Sequence, residues 1–120
     1  MATSYAICKL TQIDDPGSRA FAIGEGDWPL RGFIVRVGEQ VFAYVNRCPH
    51  AGHPLNWRPD EFLAPDNATI LCRSHGAMFE RTTGECLAGP CAGRSLRALR
   101  VRVEGELVIL DVDRELQELI

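Results

Sequence analysis

Two short pairs of residues carry the potential for chemistry in this chain: Cys48-Pro49-His50, a C-x-H, and Cys72-Arg73-Ser74-His75, a C-x-x-H. Each pair offers one sulfur and one nitrogen, and the 21 residues 51–71 separate His50 from Cys72. Thiolate and imidazole are the ligands a borderline-soft metal prefers, and such short spacings let one loop present both without straining its backbone. Pro49, Gly52, Pro54 and Gly76 suit loops that wrap closely around a bulky group. Cys48, His50, Cys72 and His75 are therefore the candidate metal and cofactor ligands.

Two kinds of centre compete for such a set. A structural zinc ion takes two cysteines and two histidines tetrahedrally. Zinc fingers, however, usually place both cysteines in one half and both histidines in the other, whereas here each half is mixed. That mixing counts against a zinc finger and leaves a larger, cluster-type centre as the other candidate.

The elements that must position these pairs read as strands. Tyr5 to Ile13, Arg19 to Ile23, Phe33 to Val37 and Val41 to Val45 are short runs rich in Ile, Val, Phe and Tyr. Asp14-Asp15-Pro16-Gly17 separates the first two, and Gly38-Glu39 stands where a tight hairpin turn belongs. Leu99 to Val103 and Leu107 to Val112 repeat the pattern around Glu104-Gly105-Glu106. The middle, roughly 46–93, is loop-rich and holds four of the five cysteines; Ala68 to Leu71 and Met78 to Glu80 are its strand candidates. Only Arg114 to Ile120 has helical spacing, through Leu116, Leu119 and Ile120. The fold class is all-β and antiparallel, with a loop-built site.

A C-x-H followed by a C-x-x-H resembles the Rieske iron–sulfur proteins. The likeness runs roughly from Arg31 to Leu110 and includes Cys72 to Phe79, Thr83-Gly84-Glu85 and Gly89-Pro90, similar to that family's second loop, strand turn and proline-containing third loop. It implies one [2Fe–2S] cluster per chain, with Cys48 and Cys72 on one iron and His50 and His75 on the other. The implied fold is the Rieske fold of stacked antiparallel sheets, one domain over 1–120 with a cluster-binding subdomain at roughly 46–93. The implied role is that of an electron carrier with no substrate site of its own, taking one electron from a flavin-dependent reductase to an oxygenase or other redox enzyme. A small Rieske subunit of a multi-subunit reductase, such as nitrite reductase, is the alternative. A substrate-oxidising centre of the oxygenase kind needs two further histidines and a carboxylate, and only His53 remains.

Departures from the family pattern carry information too. The spacer is longer than in small ferredoxins, which implies a local insertion at Leu55 to Asn67, packed down beside the cluster by Trp57, Phe62 and Leu63, with a partner-facing role for Trp57 as the alternative. The positions matching the interloop disulfide of high-potential members are His53 and Ser74, so the chain resembles the soluble ferredoxin branch. Ala77 and Phe79 stand where that high-potential branch has a serine and a tyrosine. The resemblance thus implies a low potential, because two hydroxyl donors to cluster sulfurs are missing.

Composition is compatible with this picture. The chain has 120 residues, 46% of them hydrophobic, enough for one core. Thirteen Lys and Arg against sixteen Asp and Glu give a net charge of -3, so a nucleic-acid partner is not expected. No basic, apolar leader opens the chain and no run approaches a membrane span, hence the expectation of a soluble, cytoplasmic protein without a membrane partner. Of the other cysteines, Cys8 reads as a small buried hydrophobe. Cys86 and Cys91 read as free thiols, with a short-range disulfide or a redox-sensitive pair as alternatives. Arg94, Arg97, Arg100 and Arg102 read as a solvated strand face.

Overall fold

The computed structural model describes residues 2–24, 30–49, 54–73, 76–91 and 93–113. Its strands are β1 (Ala2–Lys9), β2 (Gly17–Ile23), β3 (Leu30–Val37), β4 (Gln40–Val45), β5 (Thr69–Leu71), β6 (Met78–Glu80), β7 (Cys86–Ala88), β8 (Ala98–Glu104) and β9 (Leu107–Asp113). Every pairing is antiparallel. The larger sheet has the order β1-β9-β8-β4-β3-β2, and the smaller has the order β5-β6-β7. Two residue pairs alone, Ala43↔Leu99 and Tyr44↔Ala98, join β4 to β8, so the larger sheet is two three-stranded halves hinged at a short seam.

Both expected hairpins form. Val37 pairs with Gln40 across Gly38-Glu39, and Glu104 pairs with Leu107 across Gly105-Glu106. Gly38 and Gly105 have φ of 64° and 63°, the left-handed conformation that glycine adopts without the Cβ penalty. The first expected strand is shorter than the apolar run, because Leu10–Gln12 closes into a 3-10 turn. β7 is a strand with no counterpart among the strands expected from the sequence, and its register slips opposite Met78/Phe79. The Arg114 to Ile120 helix lies outside the described residues.

The expectation of one core is corrected: the described residues form two. Alternation along β3 sends Phe33 and Val35 to one cluster, and Leu30 and Ile34 to the other. β4 does the same, with Tyr44 on the first side and Ala43 on the second. A strand buried on both faces cannot display the apolar/polar alternation that marks a half-exposed one, hence the continuous run at Phe33-Ile34-Val35. The first core holds Cys48, Cys72, Cys86 and Cys91; the second holds Cys8, which is a buried small hydrophobe as expected.

Tyr44 is the latch between the sheets. Its ring lies 5.7 Å from that of Phe33, and its hydroxyl donates to the Arg81 carbonyl at 2.9 Å, in the turn after β6. A Cβ at Gly84, whose φ is +79°, would stand 2.8 Å from the Tyr44 ring. Burial, with a smaller contribution from the Glu80 carboxylate, raises the Tyr44 phenol above its ordinary range.

Tyr44→Phe keeps the ring and removes one hydrogen bond, which should cost about 1 kcal/mol. A raised folded-state value means that the tyrosine's contribution is complete below about pH 10 and is lost as pH climbs toward the folded value. The gap in urea midpoint between wild type and Tyr44→Phe should therefore narrow above about pH 10. A gap that stays constant would show that the phenol ionises equally in both states.

Candidate functional site

The first ligand pair leaves the end of β4. Asn46, directly after that strand, donates its backbone N–H to Arg31 O at 3.0 Å. Its side chain does more: Oδ1 accepts from Leu55 N at 2.8 Å while Nδ2 donates to Asn56 Oδ1 at 2.9 Å. One amide thus closes the base of a loop that leaves at Asn46 and returns at Leu55. Nothing in the ligand pattern marked Asn46, although an asparagine at a strand end is the residue type that bonds backbone across a turn.

The second pair leaves β5. Cys72 N donates to Ala77 O at 2.8 Å, and Gly76 N donates to Cys72 O at 2.9 Å, so Cys72 is bonded to both Gly76 and Ala77. Gly76 permits it with φ +71°. The two ligand segments are then tied together, since Arg73 N donates to Leu55 O at 2.9 Å. Arg73 Nη2 reaches Leu63 O at 3.1 Å, which adds the 55–67 segment to the same knot.

A third loop completes the arrangement. Gly89 lies so close to the second that a Cβ there would stand 2.8 Å from Ala77 Cα. Arg94 Nη1 donates to Pro49 O at 2.9 Å, the carbonyl between Cys48 and His50. Arg94, Arg97, Arg100 and Arg102 are all exposed, as expected of a solvated face. Arg94 nevertheless has a structural task that its alternation with apolar residues did not reveal.

Cys48 and Cys72 are fully buried, and both belong to the first core with Leu55, Phe62, Ala77 and Phe79. An apolar, water-poor setting with two thiols suits a thiolate-bound metal centre, since bound metal removes the thiol proton and the surrounding shell limits solvent access. His50, His53, Ser74 and His75 lie outside the described residues. Ala77 and Phe79 are also fully buried, so the hydroxyl-free side chains lie in the same core as the two thiols.

The 55–67 segment is only partly as expected. Phe62 stacks on Phe33 with ring centroids 4.2 Å apart and planes 6° from parallel, and Leu63 is buried. Trp57 does not pack down and is 74% exposed, a correction to the expectation. Leu55 takes the inward position instead. Trp57 is then carried on a turn held by surface contacts, Asn56 Nδ2 to Arg58 O at 3.0 Å and Glu61 N to Arg58 O at 3.3 Å. Asp60, at φ 65°, turns the chain back, and its Oδ1 accepts from Ala20 N on β2 at 2.7 Å.

None of the five cysteines is in a disulfide. Cys86 and Cys91 do meet, with their sulfurs 2.8 Å apart in a thiol hydrogen bond. Burial, reinforced by that bond and by the neighbouring Cys86 and Cys48, pushes the Cys91 thiol up to about 12.

The family model of the Rieske [2Fe-2S] domain matches residues 3–110. No curated protein sequence matches the chain. Among solved structures, the chain is similar to the ferredoxin of carbazole 1,9a-dioxygenase from Nocardioides aromaticivorans IC177, with a TM-score of 0.71 and 29% identity over 90% of this chain and 96% of that one. The Sphingomonas yanoikuyae B1 ferredoxin shares the fold, at TM-score 0.68 and 24% identity, over 92% of this chain and all 100% of its own. A complex of reduced oxygenase and oxidized ferredoxin in carbazole 1,9a-dioxygenase contains a chain with the same fold, at TM-score 0.69 and 23% identity, covering 89% of this chain and 91% of that one. The chain belongs to the Rieske [2Fe-2S] family, whose domain binds one [2Fe–2S] cluster. Within it, the protein is an electron-transfer protein of the ferredoxin type.

Asn46→Ala should lower stability by about 1–3 kcal/mol, because it removes two hydrogen bonds and leaves the Leu55 N–H without its acceptor in a partly buried site. Visible absorbance per chain should fall with it, since the loop base is opened. A denaturation midpoint and iron content equal to wild type would remove Asn46 from this role.

Proposed function

We propose that Cys48, His50, Cys72 and His75 hold the cluster, with 46–93 as the cluster-binding subdomain, and that the protein carries single electrons from a flavin-dependent reductase to an oxygenase. The observation that carries the reading is the burial of Cys48 and Cys72 in one apolar core, on segments tied together through Arg73 N and Leu55 O. When bound, the cluster supplies a one-electron couple. Cys48 and Cys72, both buried, would hold one iron, and His50 and His75 would hold the other and serve as the electron exit. Similarity to the ferredoxin of carbazole 1,9a-dioxygenase supports an oxygenase as acceptor. Among the described residues no helix is long and apolar enough to cross a membrane.

Two effects set the potential in opposite directions. Arg47, exposed next to Cys48, and Arg94, bonded to Pro49 O, place positive charge beside the first loop and favour the more negative reduced state. Exposed charges are screened by solvent and salt, whereas a hydroxyl donor acts at contact distance. The absence of donors at Ala77 and Phe79 therefore dominates. The potential should lie toward the low end of the range of about -150 to +300 mV known for Rieske centres.

Anaerobic mixing tests the role directly. Dithionite-reduced protein, freed of dithionite and mixed with the oxidised terminal oxygenase of an aromatic-ring dioxygenase, should recover its oxidised spectrum. Failure to re-oxidise, with stable co-purification alongside a large reductase subunit, would instead establish the subunit reading. Protein-film voltammetry supplies the second test: Ala77→Ser should raise the midpoint, and a wild-type midpoint well above zero would overturn the low-potential assignment.

A further inference from the structure

Two cysteines outside the ligand set lie at the foot of the third loop. Cys86 begins β7, an edge strand of the small sheet, and Cys91 follows Gly89-Pro90. Backbone bonds already bring them face to face: Cys86 N donates to Arg94 O at 3.0 Å, and Arg94 N donates to Cys91 O at 2.9 Å. Their sulfurs stand 2.8 Å apart. A disulfide bond is about 2.05 Å long, so less than an ångström of approach would close it. Cys86 also donates to Ala88 O at 3.4 Å, a weak bond that costs little to give up.

We propose that Cys86 and Cys91 are a reversible oxidation site, converted from dithiol to disulfide by hydrogen peroxide. Cys86 reacts first because it is the more accessible, at 8% exposure against 1% for Cys91, beneath a loop whose Leu87, Gly89 and Pro90 are exposed. In the first step the Cys86 sulfur takes one peroxide oxygen, the O–O bond breaks, and Cys86 sulfenic acid and one water result. In the second, Cys91 sulfur displaces that hydroxyl, the S–S bond forms, and a second water leaves with the Cys91 proton. The sum is two thiols and one peroxide giving one disulfide and two waters. The ring closed is short, so the bond removes little unfolded-chain entropy and acts as a removable mark more than as a staple. Its place matters because the loop between the two cysteines packs through Gly89 on Ala77 of the second ligand loop.

Tryptic digestion isolates the pair, since Arg81 and Arg94 bracket residues 82–94, a peptide containing Cys86 and Cys91 and no other cysteine. Cluster-loaded full chain is treated with equimolar hydrogen peroxide, quenched, alkylated with iodoacetamide and digested for mass spectrometry. Peptide 82–94 should lose two hydrogens and both alkyl adducts, and dithiothreitol before alkylation should restore both. Cys91→Ser should leave Cys86 as a sulfenic acid trapped by dimedone; if that variant does not fold, the wild-type digest still decides. Full alkylation after peroxide, sulfinic acid on Cys86, or a crosslink from 82–94 to a peptide carrying Cys48 or Cys72 would overturn the proposal. Because the four ligands lie in other peptides, failure here leaves the cluster assignment untouched, and misassigned ligands would not alter this readout.

Discussion

Two thiols from distant parts of the chain, Cys48 after β4 and Cys72 after β5, must arrive at one place in an apolar core and stay there. The hydrogen bond from Arg73 N to Leu55 O sets that register, because it joins the exit of the first ligand segment to the second directly beside Cys72. Each segment is closed separately, the first by the Asn46 amide and the second by the Cys72 and Gly76 backbone bonds. The tie between them then fixes one closed loop against another. Arg94 on Pro49 O and Gly89 against Ala77 bring the third loop to the same point. Among the described residues, no buried side-chain nitrogen or oxygen lacks a partner, so the side-chain members of this polar knot are satisfied.

The remainder of the molecule supports that junction. β3 and β4 serve as a wall with a core on each face, one built around the cysteines and one between the halves of the large sheet. Substitutions on this hairpin act on both cores at once: Gly32, for example, has no room for a Cβ, which would stand 2.5 Å from the Phe21 ring and 2.7 Å from Tyr44 O. The small sheet carries the second ligand segment and hangs from this wall by Tyr44 and by the Phe33–Phe62 stack. The 55–67 segment is therefore part of the support: it contributes Leu55, Phe62 and Leu63 to the core and is laced to β2 through Ser18 and Asp60.

Much of this architecture is legible in the order of residues alone. Gly38-Glu39 and Gly105-Glu106 declare hairpins because their turns need left-handed glycine, and the flanking β-branched runs can be nothing but strands. The ligand pairs are legible because few chemistries want sulfur and nitrogen at that spacing. What escapes are features decided by tertiary partners. Asn46 and Arg94 act on carbonyls and amides distant in sequence, and neither leaves a local pattern. β7, Cys86–Ala88, is as short as β5 and β6 but has none of the β-branched or aromatic residues that mark those two as strands. Trp57 is assigned inward on hydrophobicity alone, but Leu55 occupies the inward position and the intervening turn carries the indole to solvent. The two-core arrangement is hidden for a related reason: a continuous apolar run does not reveal that its odd and even members face different clusters.

Pulsed electron paramagnetic resonance of the dithionite-reduced full chain, resolving nitrogen couplings, addresses the central claim most directly. Two strongly coupled, directly bound nitrogens are expected, with one of them lost in His75→Cys and both retained in His53→Ala. A reduced cluster without bound nitrogen, or one whose nitrogen coupling disappears with His53 and survives at His75, would contradict the assignment of Cys48, His50, Cys72 and His75 as the ligand set.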